Sequence, residues 1–137
     1  AGSNIITFHY EIDENLNKLI DKIKQNKIEV GIAVKPKTPW EEIKNYLHSV
    51  DQVIIMTVEP GFGGQTFLRD QIKKIKSISN YIQSNNLNVK IEVDGGVNYE
   101  TGKLCIDAGA DILVAGSFLF KQSNLTLATN ELSDYFN

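Results

Sequence analysis

Residues 53–65 read VIIMTVEPGFGGQ, an apolar run that passes directly into a loop containing three glycines. A short run of apolar, largely β-branched residues bounded by glycine and proline is typical of a buried strand. Glycine lacks a Cβ and adopts positive φ, so such a loop can bring bare backbone close to a ligand. Amides exposed in this way bind anions, most often phosphate. The stretch therefore predicts a buried strand that ends at an anion-binding loop.

Strand-like segments alternate with helix-like segments on both sides of this loop. Strands are predicted at residues 5–8, 30–34, 53–56, 89–93 and 112–115. Strict alternation implies parallel strands joined by helical crossovers. Two architectures fit this pattern, namely an open doubly wound sheet and part of a (β/α)8 barrel. We expect residues 1–137 to form one α/β domain.

The predicted helices follow the i, i+3, i+4, i+7 spacing of an amphipathic face. Asp13 is predicted to open the first, and Thr38-Pro39-Trp40-Glu41 has the pattern of a capping box with proline at the first helical position. Asn98 is predicted to cap a later helix. The inward-facing residues are Leu16, Leu19, Ile20 and Ile23; Ile43, Tyr46, Leu47 and Val50; Ile72, Ile75, Ile78 and Ile82; Leu104 and Ala108; and Ala128, Leu132, Tyr135 and Phe136.

Composition excludes several classes of protein. The chain has 137 residues, 42% hydrophobic and 23% charged, which is ordinary for a globular domain. A net charge of −3 without a Lys/Arg stripe argues against nucleic-acid binding. Apolar runs are too short for a membrane span, and no signal peptide is visible. The single cysteine, Cys105, excludes an internal disulfide and fits a reducing compartment, so we expect a cytoplasmic protein.

Glycines and polar residues collect where the predicted strands end. Six of the ten glycines lie there, and the polar residues at these ends are His9, Asp94 and Ser117. Parallel α/β folds bind ligands at the carboxyl ends of their strands. The segments that follow three of the predicted strands have the pattern of phosphate contacts. Their residues are Gly61, Phe62, Gly63 and Gly64; Gly95 and Gly96; and Gly116 and Ser117.

Asp94 is the strongest catalytic candidate. It leaves an apolar strand and is followed at once by two glycines, so it would be held at the rim of a pocket. A carboxylate there can take a proton from carbon, bind a metal ion, or do both. Met56 would either wall the pocket or be an ordinary core methionine, and His9 is either a ligand, an acid or a structural group. Lys35 could form a Schiff base, although Lys35-Pro36-Lys37 also has the pattern of a solvated turn.

Counting strands favours the barrel. Barrel enzymes often bind phosphate with the loops after their seventh and eighth strands. If the last two predicted strands hold those positions, the first is the fourth strand of a barrel of roughly 250 residues.

Four segments together resemble the ribulose-phosphate 3-epimerase family. They are IITFH at residues 5–9, MTVEPGFGGQ at 56–65, VDGGV at 93–97 and AGS at 115–117. The resemblance covers essentially the whole chain, and the segment at 56–65 is its most specific part. It implies a (β/α)8 barrel of the ribulose-phosphate-binding type, here a partial barrel with strands 4–8.

The resemblance also implies an activity and a set of residues. The family interconverts D-ribulose 5-phosphate and D-xylulose 5-phosphate in the pentose phosphate pathway. Two aspartates on opposite faces of carbon 3 remove and return a proton through an enediolate. A divalent metal ion, usually zinc and sometimes iron or manganese, stabilises that intermediate. Asp94 matches one aspartate, which is also a metal ligand. Met56 matches the methionine beside the enediolate, and the glycines and Ser117 match substrate-binding loops.

One part of the family pattern cannot be placed on this chain. The second aspartate and the metal-binding histidines of the family lie on its second and third strands. We therefore expect the 137-residue chain alone to be inactive, and we expect the protein to form a homo-oligomer. A non-catalytic sugar-phosphate-binding module, an epimerase of a hexulose 6-phosphate and a Schiff-base aldolase using Lys35 stay open as alternatives.

Overall fold

A five-stranded parallel sheet forms the centre of the molecule. The computed structural model describes residues 4–59 and 65–116, together with residues 130, 133, 134 and 136. The strands are β1 (Ile5–His9), β2 (Glu29–Val34), β3 (Gln52–Met56), β4 (Lys90–Asp94) and β5 (Ile112–Val114), and the α-helices are α1 (Leu16–Gln25), α2 (Gln71–Ser84) and α3 (Tyr99–Ala108).

The strands lie side by side in chain order, β1-β2-β3-β4-β5, and every pairing is parallel. A doubly wound sheet reverses its strand order at a switch point, whereas a barrel adds each new strand to the same side. The observed order is therefore that of consecutive units of a (β/α)8 barrel. The α/β prediction is confirmed, and the order favours the barrel over the doubly wound sheet.

Side-chain alternation divides the sheet into two unlike faces. One face packs against the helices and carries the core residues Val30, Ile32, Val34, Val53, Ile55, Ile91 and Val93, which are at most 2% exposed. The other face carries Gly31 and Ala33 of β2, Ile54 and Met56 of β3, and Glu92 and Asp94 of β4. Successive residues of a strand point to opposite faces, so the polar residues of β4 share the face away from the helices.

Helix α1 begins later than the sequence predicts. Its N-cap is Asn15, whose side chain accepts a hydrogen bond from the Lys18 amide. Asp13, the predicted start, lies before it. Asparagine satisfies an otherwise unpaired amide of the first turn as well as aspartate does, and here it stands at the position where the helix begins. The predicted inward residues Leu16, Ile20 and Ile23 are buried, and Leu19 is partly buried.

The predicted capping box at residues 38–41 is wrong. Two 3-10 helices, Trp40–Glu42 and Lys44–His48, replace the expected α-helix, and Pro39 stands at the N-cap without a side-chain cap. The Thr38 hydroxyl donates instead to Glu11 Oε1 at 2.6 Å. Because that hydroxyl is used elsewhere, the first turn has no capping side chain.

The two later helices agree better with the sequence. Ile75, Ile78 and Ile82 of α2 are buried. Asn98 caps α3 in a reciprocal capping box with Thr101. Most of the predicted final helix lies outside the described residues, and Phe136, which is described, is 46% exposed. Among the described residues, no helix has the length and apolar character needed to cross a membrane.

Two aspartates fix the starts of the strands at the other end of the sheet. Asp51, just before β3, accepts the Val30 amide of β2 at 2.8 Å. Asp111, just before β5, accepts the Ile91 amide of β4 at 2.9 Å. Each carboxylate pairs a backbone donor at a strand start, where the ladder has not yet begun. These aspartates hold the fold, and the chemistry-bearing residues lie at the opposite ends.

Candidate functional site

The carboxyl ends of β3, β4 and β5 bring the main candidates together. Met56 is the direct register partner of Asp94, and Asp94 is the partner of Val114. Residues paired in this way point to the same face, and neighbouring strands lie about 4.8 Å apart. The predicted neighbourhood of Met56 and Asp94 is therefore present. The candidates Gly61, Phe62, Gly63, Gly64 and Ser117 lie outside the described residues.

Asp94 is partly buried at the last position of β4. Among the described residues, its carboxylate has no hydrogen-bond or ion-pair partner. An ionised carboxylate accepts up to about four hydrogen bonds, and no described residue occupies these positions. Among the described residues, Asp94 therefore combines an anchored backbone with a carboxylate that has no partner.

A second carboxylate, which was not predicted from the sequence, lies on the same face of β4 as Asp94. Glu92 precedes Asp94 by two residues and accepts a hydrogen bond from Gln52 Nε2 at 3.0 Å. Burial raises the pKa of the Glu92 carboxyl, and the Asp94 charge raises it further, while the Gln52 hydrogen bond acts in the opposite direction. The period-two alternation of β4 is the signal that could have placed both residues on one face.

Gly95 and Gly96 turn the chain sharply after Asp94. Their φ angles are +130° and +68°, values that residues with a Cβ rarely adopt. A Cβ on Gly95 would lie 2.6 Å from Val58 Cγ2, and one on Gly96 would lie 2.8 Å from the Phe67 amide nitrogen. Close packing against the chain that follows β3 thus explains why both positions are glycine.

This packing leaves the amides of the turn available. The carbonyls of Gly95 and Gly96 accept hydrogen bonds from the hydroxyls of Thr57 and Thr101. Among the described residues, neither glycine amide donates a hydrogen bond. Successive free amides in a turn form a concavity that favours anions. Gly116 differs, because a Cβ on it would meet nothing within 4 Å.

His9 belongs to a separate polar group around Glu11. It lies on β1, three strands from β4, and its Nδ1 is 3.9 Å from Glu11 Oε2, which is too long for a hydrogen bond. Glu11 Oε1 accepts from the Lys35 amide at 2.8 Å and from the Thr38 hydroxyl. The structure therefore does not bring His9 next to Asp94.

The same group fixes the turn that contains Lys35. Lys74 Nζ of α2 donates to the carbonyls of Lys35 and Pro36 at 3.1 Å and 2.9 Å. Burial lowers the pKa of the Lys74 ammonium, and nearby acidic groups, Glu11 first, oppose that shift. The turn after β2 is thus held from both sides, by Glu11 and by α2.

Comparisons with known proteins agree with this geometry. Residues 1–120 match the sequence model of the "Ribulose-phosphate 3 epimerase family". A ribulose-phosphate 3-epimerase of Bacillus subtilis is 40% identical over 133 residues, covering 96% of this chain and 61% of the relative. One from Methanocaldococcus jannaschii is 40% identical over 129 residues, covering 94% and 55%. One from Escherichia coli K12 is 34% identical over 132 residues, covering 96% and 59%. The chain therefore spans a little over half the length of these curated relatives.

Proposed function

Because the chain belongs to the ribulose-phosphate 3-epimerase family, we propose that it supplies the C-terminal share of the active site of such an epimerase. The proposed reaction interconverts D-ribulose 5-phosphate and D-xylulose 5-phosphate by inverting carbon 3. The observation that carries the proposal is that the Asp94 carboxylate and the Gly95 and Gly96 amides beside it have no hydrogen-bond partner among the described residues. We further propose that residues 1–137 act as one unit of a cytoplasmic homo-oligomer.

Asp94 has the chemistry that the reaction requires at one face of carbon 3. As a carboxylate it removes the proton on that face, and as a carboxylic acid it returns one. The free amides of Gly95 and Gly96 suit the anionic end of a pentulose phosphate. Met56 presents an apolar wall next to Asp94, which keeps water from the reacting carbon. Gly116, Ser117 and the loop at residues 61–64 are proposed as further phosphate contacts.

Inversion needs a second proton-transferring group on the opposite face of carbon 3. The residues proposed here supply one such group, so the second is expected from outside this chain. This division explains why the isolated 137-residue chain should not turn over substrate. No observation favours the alternatives, which are an epimerase of a hexulose 6-phosphate, a non-catalytic sugar-phosphate-binding module and a Schiff-base aldolase that uses Lys35.

The described residues do not by themselves fit a divalent metal ion. They contain no group of three or more His, Cys, Asp or Glu side chains that could hold one. Catalytic metal sites normally use three protein ligands and keep one open position. Asp94 could contribute one oxygen ligand, and the rest of the site would have to come from elsewhere. We propose that the metal ion of the complete site is zinc.

The test replaces Asp94 in the full-length protein. Asp94→Asn should lower epimerase turnover by at least about 100-fold, the size expected for loss of a general acid–base group. Asp107→Asn is the matched control, because Asp107 is an exposed aspartate of α3 that pairs with Lys103. Solvent deuterium exchange at carbon 3 should be lost for the epimer whose proton faces Asp94, whereas the group on the opposite face can still exchange the proton of the other epimer.

Normal turnover in the Asp94→Asn protein would refute the assigned role. A wild-type full-length protein that neither epimerises a pentulose phosphate nor exchanges the carbon 3 proton would refute the proposed function itself. The isolated 137-residue chain is assayed in the same way. Robust turnover by it would refute the proposal that the second proton-transferring group comes from outside this chain.

A further inference from the structure

Thr57 is the first residue after β3, and its side chain is fully buried. A buried hydroxyl needs a hydrogen-bond partner. The Thr57 hydroxyl donates to the Gly95 carbonyl oxygen at 2.5 Å, across 38 residues of sequence. This hydrogen bond therefore connects the carboxyl end of β3 with the carboxyl end of β4, where Asp94 lies.

The backbone of Thr57 makes a second link to the same turn. Its amide donates to the Asp94 carbonyl at 3.0 Å, so one residue holds two consecutive carbonyls, those of Asp94 and Gly95. The Thr57 carbonyl accepts the Leu68 amide at 2.7 Å. Thr57 is thus itself held by the chain that leads into α2, and it offers the turn a fixed support.

Asp94 depends on this support more than an ordinary aspartate would. Its carboxylate has no partner among the described residues, so within this part of the chain only the backbone sets its direction. The next residue is Gly95 with φ +130°, and glycine is the residue least able to hold its own conformation. The peptide group between Gly95 and Gly96 carries the carbonyl that Thr57 holds.

We propose that Thr57 is a positioning residue for Asp94, and that its hydroxyl aims the carboxylate by holding the Gly95 carbonyl. The proposal rests on the proposed function, because it assigns a role in the same reaction. Displacements near 1 Å cost up to about 100-fold in rate when a catalytic group is misplaced. Loss of the hydroxyl should therefore act on turnover rather than on substrate binding.

The test compares Thr57→Val with Thr57→Ser in the full-length protein. Valine keeps the shape and removes the donor, so kcat should fall at least about tenfold while KM changes less than about twofold. Serine keeps the hydroxyl and should restore kcat to within about threefold of wild type. Thr7→Val is the matched control, since Thr7 lies exposed on β1 and its hydroxyl makes no hydrogen bond among the described residues.

Thermal unfolding of each variant separates a folding defect from a positioning defect. If Thr57→Val does not fold, Thr57→Cys replaces it, because a thiol of similar size to serine is a weak donor. Its kcat should lie well below that of Thr57→Ser.

Three results would overturn the inference while leaving the proposed function intact. The first is that Thr57→Val keeps the wild-type kcat although Asp94→Asn is inactive. The second is that the valine and serine variants lose equal amounts of kcat. The third is that the cysteine and serine variants have equal kcat. Failure of the proposed function is recognised separately, since the wild-type protein would then lack epimerase activity.

Discussion

At the scale of single residues, the sequence predicts what local context determines and misses what distant partners determine. Asp94 could be singled out as a candidate, because an aspartate that leaves an apolar strand before two glycines is unusual in itself. Thr57 and Glu11 could not, because their hydrogen-bond partners lie 38 and 24 or more residues away. Gly95 and Gly96 were predicted to be at the site, but the packing that requires glycine there comes from Val58 and Phe67.

Glu11 gives the first prediction at this scale, and its pKa fixes the sign. Burial alone would raise the pKa of the Glu11 carboxyl, but the hydrogen bonds from Thr38 and the Lys35 amide outweigh burial and lower it below the ordinary value of 4.5. A lowered pKa means that the folded state favours the carboxylate. The resulting stability is present above pH 4.5 and is lost as the pH falls through the lowered folded value.

Glu11→Gln should therefore destabilise the full-length protein at pH 7 by about 1 kcal/mol, since the carboxylate is partly open to solvent. The deficit should shrink as the pH falls below 4.5. Urea unfolding at several pH values measures it. Glu14→Gln is the control, because Glu14 is exposed and makes no hydrogen bond among the described residues. A deficit that stays constant from pH 7 to pH 3 would contradict the assigned cause.

At the scale of elements, strands were easier to place than helices. Each predicted strand ends within one residue of the observed strand, because runs of apolar, mostly β-branched residues mark both the strand and its limits. The prediction of an α-helix after β2 was wrong because of a long-range contact. Its sequence carries a capping pattern, but Thr38 bonds to Glu11, and that competition is invisible in local sequence. Asn98 has no such competitor, and its predicted cap is confirmed.

The cap of α3 gives the prediction at this scale. Asn98 Oδ1 accepts the Thr101 amide at 2.9 Å, and Thr101 Oγ1 accepts the Asn98 amide at 2.9 Å. Asn98→Ala should destabilise the full-length protein by about 1 kcal/mol, the usual loss for an N-cap. The Thr101 amide donates to the Asn98 side chain, so its protection from hydrogen exchange should fall as well.

Asn88→Ala is the matched control for the cap, since Asn88 is exposed in the turn before β4 and makes no hydrogen bond among the described residues. Equal urea midpoints for Asn98→Ala and the control would show that the cap contributes nothing. An unchanged exchange rate at the Thr101 amide would show that the Asn98 side chain does not protect the first turn of α3.

At the scale of the whole molecule, the alternation of elements predicted the architecture, and the strand order could be read only from the structure. Alternation alone left the doubly wound sheet and the barrel open, because both alternate strand and helix, and the strand count and the family resemblance then favoured the barrel. The deciding feature is that each strand pairs with the next one in the chain. That pairing is set by long-range packing, which a single sequence does not display.

The same order leaves β1 and β5 at the edges, each with one neighbour among the described strands. Ile6 of β1 and Ile112 and Val114 of β5 are 37–39% exposed. An open edge with apolar side chains is a template for pairing with another chain. The isolated 137-residue chain should therefore associate, and its apparent mass in light scattering should rise with concentration.

A charge on the edge should oppose this association. Ile112→Lys in the isolated chain should lower the apparent mass, because a lysine on an edge strand disfavours pairing. Ile12→Lys is the matched control, since Ile12 is equally exposed at 37% but lies in the turn after β1, outside the strands. The full-length protein, in which further strands are expected beside these edges, should show one mass across the same concentrations. A stable monomer of the isolated chain, or an equal effect of the two lysines, would mean that the strand edges do not drive association.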